Sequence, residues 1–257
     1  MRESGFLPVA GQNLGDYLGD AFQELVSKLR SEYVFKNAIA NRILLGRHTL
    51  NTAAMLTEFR AGTNKADAVI LNGTSTVYEI KSERDKLCRL EAQLDSYLRI
   101  FDKVVVVADE CHLKELLEIL PPNVGLTILS SRYQFSTIRE PMSNLYDLDP
   151  VQMFESLRRS EYLQILADLK GWKATGIPNG IIHEAACREF ATLPVEQAHA
   201  GFVQALRERA KRQERDWFVL AVPKHLKALA VSLSLKKNEQ ERILGALNCP
   251  VDSVFAV

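Results

Sequence analysis

Asp67, Glu79 and Lys81 are the residues whose types and spacing could do chemistry. Glu79-Ile80-Lys81 lies in the run Thr76–Ser82, where β-branched and aromatic residues alternate with others at a period of two, as in a strand. On a strand, Thr76, Tyr78 and Ile80 point one way and Val77, Glu79 and Lys81 the other, so an acid and an amine share a face. Asp67 lies in Lys65–Leu71, which also reads as a strand, and Asn72-Gly73 after it is a strong hairpin signal. Pairing across that turn would bring Asp67 near the Glu79–Lys81 face, with two carboxylates and an ammonium meeting at one end of a small sheet. A hard divalent cation such as Mg²⁺ or Mn²⁺ takes oxygen ligands and keeps several waters, so two acids are enough to hold it. The lysine could orient or activate a water and steady charge developing on a phosphate. The plain alternative is a solvated salt bridge, because Glu-x-Lys is common in strands.

The elements that must position these residues can be taken in order. Residues 1–20 contain four glycines and read as a loose arm leading into a first helix around 16–30. Ser31 is a candidate N-cap for a second helix, roughly 32–46, with Phe35, Ile39 and Ile43 at helical spacing. Glu32 opens it, and either favours the positive helix end or reaches the metal site. Ala54–Arg60 is a plausible strand, so three strands form an antiparallel meander. Glu58 and Arg60 alternate onto one face, read as a solvated sheet face in preference to part of the site. From Asp85 to Phe101 the apolar spacing is helical again, with Leu87, Leu90, Leu94 and Leu98 on one stripe. Gln93 and Tyr97 share a face of that helix, either touching a loop or lying beside Lys81. Val104–Ala108 is an unbroken apolar strand, as in parallel or mixed sheets covered on both faces. A helix over Cys111–Leu120, stopped by Pro121-Pro122, and a final edge strand over Val124–Leu129 follow.

From about residue 136 helical patterns dominate, over about 149–159, 160–170, 179–191, 194–215 and 221–247. Three regions are expected: an N-terminal arm and helix (1–30), an α/β core (31–135) and a helical C-terminal region (136–257). In the last, Arg207, Arg209, Lys211, Arg212 and Arg215 form a basic cluster interrupted by Glu208 and Glu214. Arg207, Lys211 and Arg212, with Arg89 on the earlier helix, are candidate nucleic-acid contacts; a solvated helix with internal ion pairs is the alternative. His183 and Cys187 are four apart on a helix, but no second pair accompanies them, so a zinc site is not expected.

Lys plus Arg equals Asp plus Glu, so overall charge gives no support for nucleic-acid binding, and any such surface must be local. The four cysteines are scattered with no CxxC pair, which argues for a reducing compartment and against a zinc ribbon. The N-terminus lacks a basic start followed by an apolar core, so no signal peptide is expected, and no run is long enough to span a membrane. A cytoplasmic protein is the expectation.

The order helix, three-strand meander, helix, strand, with Asp67 on the second strand and Glu79-Ile80-Lys81 on the third, resembles the PD-(D/E)XK nuclease superfamily. Gln93-Leu94-Asp95-Ser96-Tyr97 is similar to the Gln-x-x-x-Tyr element of its RecB-like subgroup. The likeness covers roughly residues 30–130, and extends to bacterial members of phage or defence association. The residue before Asp67 is Ala66 rather than proline, at a position that varies in the superfamily. The resemblance implies an α/β, restriction-endonuclease-like core, a mixed sheet flanked by helices, here with an all-helical C-terminal region. It implies Mg²⁺ or Mn²⁺ on Asp67, Glu79 and the Ile80 carbonyl, and in some nucleases an early helical acid, here Glu32, also reaches the metal. Lys81 would position or deprotonate the attacking water; Gln93 and Tyr97 would steady the site or contact substrate.

The expectation is therefore a metal-dependent nuclease, with DNA the favoured substrate. The rival from another class is a catalytically silent binding or immunity module, whose C-terminal helices contact a protein partner or a second copy.

Overall fold

A computed structural model describes residues 8–211 and 216–255. Arg212, Glu214 and Arg215 of the expected basic cluster lie outside them, as do residues 1–7 of the expected arm. The strands are β1 (Ala54–Ala61), β2 (Asn64–Leu71), β3 (Ser75–Lys81), β4 (Lys103–Asp109), β5 (Gly125–Leu129) and β6 (Phe135–Arg139). They form one mixed sheet in the order β1-β2-β3-β4-β5-β6. The β1–β2, β2–β3 and β5–β6 pairs are antiparallel; β3–β4 and β4–β5 are parallel. The chain is thus an α/β protein with a meander leading into a parallel centre.

The turns follow from the residues in them. Gly62 (φ 61°) and Gly73 (φ 96°) supply the left-handed backbone that the two tight connections need. The Asn72-Gly73 hairpin stands where the sequence puts it, with Ala68 opposite Tyr78 and Leu71 opposite Ser75. β5 is not the edge: Phe135–Arg139 pairs beyond it, and its mostly exposed side chains leave no apolar alternation to read.

The α-helices of five residues or more are α1 (Leu14–Glu24), α2 (Glu32–Ile39), α3 (Leu90–Leu98), α4 (Leu113–Ile119), α5 (Pro150–Glu155), α6 (Arg159–Lys170), α7 (Ile182–Ala191), α8 (Val195–Lys211), α9 (Asp216–Ala221), α10 (Lys227–Ser232), α11 (Lys237–Leu247) and α12 (Val251–Phe255). π-helical segments at Leu25–Leu29 and Ala40–Leu44 continue α1 and α2. The single helix expected over 221–247 is broken instead, because Pro223 starts a new turn and Leu233 leaves helical geometry.

Two cores lie on the two faces of the sheet. Val69, Val77 and Val106 pack with Leu94, Phe154, Phe190 and Phe202, so α3 and α5–α8 cover one face. Ile70, Ile80 and Val107 pack with Phe22, Ile39, Phe218 and Ala230, so α1, α2, α9 and α10 cover the other. Each fully buried Phe or Leu contributes about 1.5–3 kcal/mol. The C-terminal helices therefore complete both cores of the sheet, and the expected boundary near residue 136 separates no independent core.

β1 and β2 change faces part-way along. Leu56, Phe59 and Ala61 all meet the first core although Leu56 breaks the period of two, and Ala66 and Val69 do the same on β2. The ladder pairs Thr57 with Ala68 and Phe59 with Ala66, so Glu58 and Asp67 lie opposite one another at the point of exchange. Glu58 has φ 55°, a left-handed backbone unusual for a non-glycine residue.

Candidate active site

β3 carries Glu79 and Lys81 on the face that α3 covers, and both are buried, at 2% and 6% exposure. Burial of two charges is tolerated only when they are paired and hydrogen-bonded. Here Lys81 Nζ donates to Glu79 Oε1 at 2.6 Å and to Gln93 Oε1 at 2.8 Å. The Tyr97 hydroxyl lies 2.9 Å from Glu79 Oε2 and 3.1 Å from the Lys65 carbonyl, its proton shared between them. Burial, then the Glu79 charge, pushes the Tyr97 phenol far above its usual range, so it stays a donor. An ammonium has three N–H groups. Two are used, which leaves one for a water or a phosphate oxygen. The helical spacing of Gln93 and Tyr97 thus places one on the lysine and the other on the glutamate.

Asp67 stands beside this network. Its Oδ2 accepts a hydrogen bond of 2.7 Å from the Ile80 amide. Burial first, and then the Glu79 charge, push its carboxyl up to about 7, against the lowering effect of that hydrogen bond. Carboxylate oxygens of Asp67, Glu58 and Glu32 all lie within 4.8 Å of one another, the one such group of three potential ligands among the described residues. Lys36 bridges Glu32 and Glu58, and Lys65 pairs with Glu58. Burial pulls the Lys36 ammonium down, but its bonds to the two acids more than offset this and hold it above its ordinary value. Burial raises Glu58, yet Lys36 and Lys65 hold it below the usual carboxylate range.

This arrangement differs from the expected ligand set. Both oxygens of Glu79 are engaged, one by Lys81 and one by Tyr97, and Glu79 is not among the three gathered acids. Glu58, expected on a solvated face, is one of them, and Glu32 at the start of α2 is another. A signal for Glu58 existed: it lies four residues before Gly62, as Asp67 lies four after Thr63, so the turn sets them opposite. The donor set suits a hard dication. It offers oxygen atoms from three carboxylates, and burial, followed by the Glu79 charge, raises the carboxyl of one of them, Asp67.

The basic residues do not form one face. Arg209 pairs with buried Glu161 and lies 5.5 Å over the Phe59 ring. Arg207 donates to the Asn51 carbonyl at 3.0 Å. Arg89 and Lys211 are exposed. His183 sits 3.7 Å from Glu155 with its ring against Phe154, while Cys187 packs on the core, so the pair gathers no metal set.

Fold and site together define an α/β protein whose mixed sheet presents a buried Glu–Lys–Gln–Tyr network next to a cluster of three acids. The chain belongs to the bacteriophage P4 protein cII family, whose profile matches residues 26–233, from the end of the first helix through α10. No curated protein gives a significant match. Among solved structures, one of SPO1766, a protein of unknown function from Silicibacter pomeroyi, is 20% identical with a TM-score of 0.34, over 52% of this chain and 88% of that one. No helix among the described residues is long and apolar enough to cross a membrane.

Proposed function

We propose that the chain hydrolyses phosphodiester bonds, most readily in DNA, using Mg²⁺ or Mn²⁺ held by Asp67 with Glu58 and Glu32. The observation that carries this reading is the placement of Lys81, clamped between Glu79 and Gln93 with one N–H to spare, on the strand whose Ile80 amide holds Asp67 of the acid cluster. Ile80 adds a donor. The amide and carbonyl of one strand residue leave the same edge, so its carbonyl points to the side from which its amide reaches Asp67.

A bound dication supplies Lewis acidity toward the phosphate and lowers the pKa of a coordinated water. The chain's residues do the rest. Glu79 and Gln93 together hold and aim Lys81. The free N–H of Lys81 orients the attacking water or meets the phosphate oxygen as negative charge grows there. Tyr97 fixes Glu79, so the lysine cannot swing away. Lys36 exchanges one acid partner for solvent or substrate phosphate when the acids take a cation. The likeness to PD-(D/E)XK nucleases, with the restriction-endonuclease-like core it implies, supports the roles of Asp67 and Lys81, but it would put Glu79 on the metal where this reading puts it on the lysine.

A second reading rests on Lys36. Its ammonium already bridges Glu32 and Glu58, and Lys65 pairs with Glu58 as well, so the acids could be a permanent ion cluster in a non-catalytic binding module. The test is cleavage of supercoiled plasmid and of labelled single-stranded DNA and RNA, with Mg²⁺, Mn²⁺ or EDTA. The nuclease reading expects metal-dependent products that Asp67→Ala and Lys81→Ala both abolish. Equal products from all three proteins, or none from the wild type with either metal, would leave the binding module as the better account.

A further inference from the structure

On the flank of α2 away from Glu32 and Lys36 lies a cavity of about 970 Å³. Its walls are α1, the π-helical continuation of α2, the turn that carries Tyr133, and the turn Pro223–His225. Buried hydrogen bonds fix its shape. Asn37, 1% exposed, accepts from the Ala228 amide at 3.1 Å, donates to the Lys224 carbonyl at 3.0 Å and lies 3.3 Å from the Tyr133 hydroxyl. Tyr33 donates to the His225 carbonyl at 2.6 Å. Tyr133 has φ 57°, a left-handed conformation that costs a bulky residue of order 1–3 kcal/mol and persists where its surroundings over-determine it.

The cavity carries charges of both signs, Asp16 and Asp20 on α1 and Arg42 and Lys224 on two other walls. Arg42 lies 5.5 Å over the Tyr133 ring, and neither Arg42 nor Lys224 forms an ion pair among the described residues. On α1, Asp16 and Asp20 are held in place by Asn13 and Gln12 at 2.8 and 2.7 Å. Aromatic surface comes from Tyr133 and Phe22, edge-to-face with centroids 5.7 Å apart. Such a site matches a ligand with an anionic end, hydroxyl donors and a flat ring. Phosphate suits an arginine and a lysine that line one cavity. Carboxylates accept sugar hydroxyls, as an acidic residue does in dinucleotide sites. The volume falls in the range of small-molecule pockets.

We infer that this cavity binds a nucleoside phosphate through Arg42 and Lys224, with Asp16 and Asp20 on the sugar. The ligand is either a free mononucleotide or the terminal nucleotide of a strand, and the inference does not depend on cleavage at the acid site.

The experiment is titration calorimetry of the full chain in EDTA, which removes metal from the acid site. The probes are adenosine and uridine 5′-monophosphate, adenosine, inorganic phosphate and a 5′-phosphorylated tetranucleotide. Saturable binding of a mononucleotide or of the tetranucleotide is expected, with adenosine and phosphate each at least about tenfold weaker. Arg42→Gln with Lys224→Gln, both exposed and unpaired, should weaken it by at least tenfold; Asp20→Asn should weaken nucleotide but not phosphate. Binding of the tetranucleotide alone assigns the site to a strand end, and binding of mononucleotides alone to a free nucleotide. No saturable binding of either, phosphate as tight as nucleotide, or unchanged affinity in the double variant overturns the inference.

Discussion

The amide of Ile80 and the carboxylate of Asp67 are joined across β3 and β2 by a hydrogen bond of 2.7 Å. This bond ends the β2–β3 ladder, whose last residue pair is Ala68 with Tyr78, and replaces a backbone acceptor with a side chain that can also hold a cation. The same bond keeps Asp67 next to the Glu79–Lys81 pair.

Mn²⁺ should stabilise the protein thermally, because a ligand that binds only the folded state adds about 2.7 kcal/mol at a hundred times its Kd. The shift should disappear in Asp67→Ala and shrink in Glu32→Gln and Glu58→Gln. Differential scanning fluorimetry with Mn²⁺ against EDTA reads it directly. Retention of the full shift in Asp67→Ala would move the metal elsewhere.

Asp67 titrates near 7 in the folded, metal-free chain, against 3.8 when unperturbed. Between these values the folded state holds a proton that the unfolded state has lost. In EDTA, stability should therefore fall as pH rises from about 4 to about 7, and level off above. Asp67→Asn should remove that slope and raise the melting temperature at pH 8. Mn²⁺ affinity should fall as pH drops below 7, since the cation competes with the proton. Urea melts and calorimetry across pH 4–8 test both halves.

Glu58 holds a left-handed backbone while supplying a carboxylate, so its two roles separate by substitution. Glu58→Gly should be more stable than Glu58→Ala by about 1 kcal/mol, since glycine pays no penalty at φ 55°. Both should bind Mn²⁺ more weakly than wild type. Equal stability of the two variants would show that the backbone there relaxes freely.

Lys81→Ala leaves Glu79 buried without its cation, and truncating one partner of a buried pair costs about 3–5 kcal/mol. The double variant Glu79→Gln, Lys81→Met should recover much of that loss while remaining inactive. Chemical denaturation of the three proteins separates structural from catalytic loss.

Much of the site could be read from residue order. The Asn72-Gly73 turn, the period of two in β3 and the four-residue step from Gln93 to Tyr97 suffice to bring Asp67, Glu79, Lys81, Gln93 and Tyr97 together. Glu58 escaped that reading because strict alternation assigns it to a solvated face, and a left-handed residue that shifts the alternation carries no mark in its own type. Glu79 was expected as a ligand, but periodicity shows which face a side chain takes and not which neighbours claim its oxygens. The same limit applies to Arg209. It sits in a basic run, yet packs inward because Glu161 lies buried opposite, on a helix some fifty residues earlier in the chain. An apolar stripe likewise shows that a helix packs on something, and not which face of the sheet, so the division of the C-terminal helices between two cores was not legible.

Anomalous diffraction from crystals soaked in Mn²⁺ tests the metal seat most directly. The expected result is a peak about 2.1 Å from an Asp67 carboxylate oxygen, with Glu58 or Glu32 and the Ile80 carbonyl completing the protein ligands and Lys36 turned from at least one acid. A map with no peak there, and Lys36 still bridging Glu32 and Glu58, would contradict it.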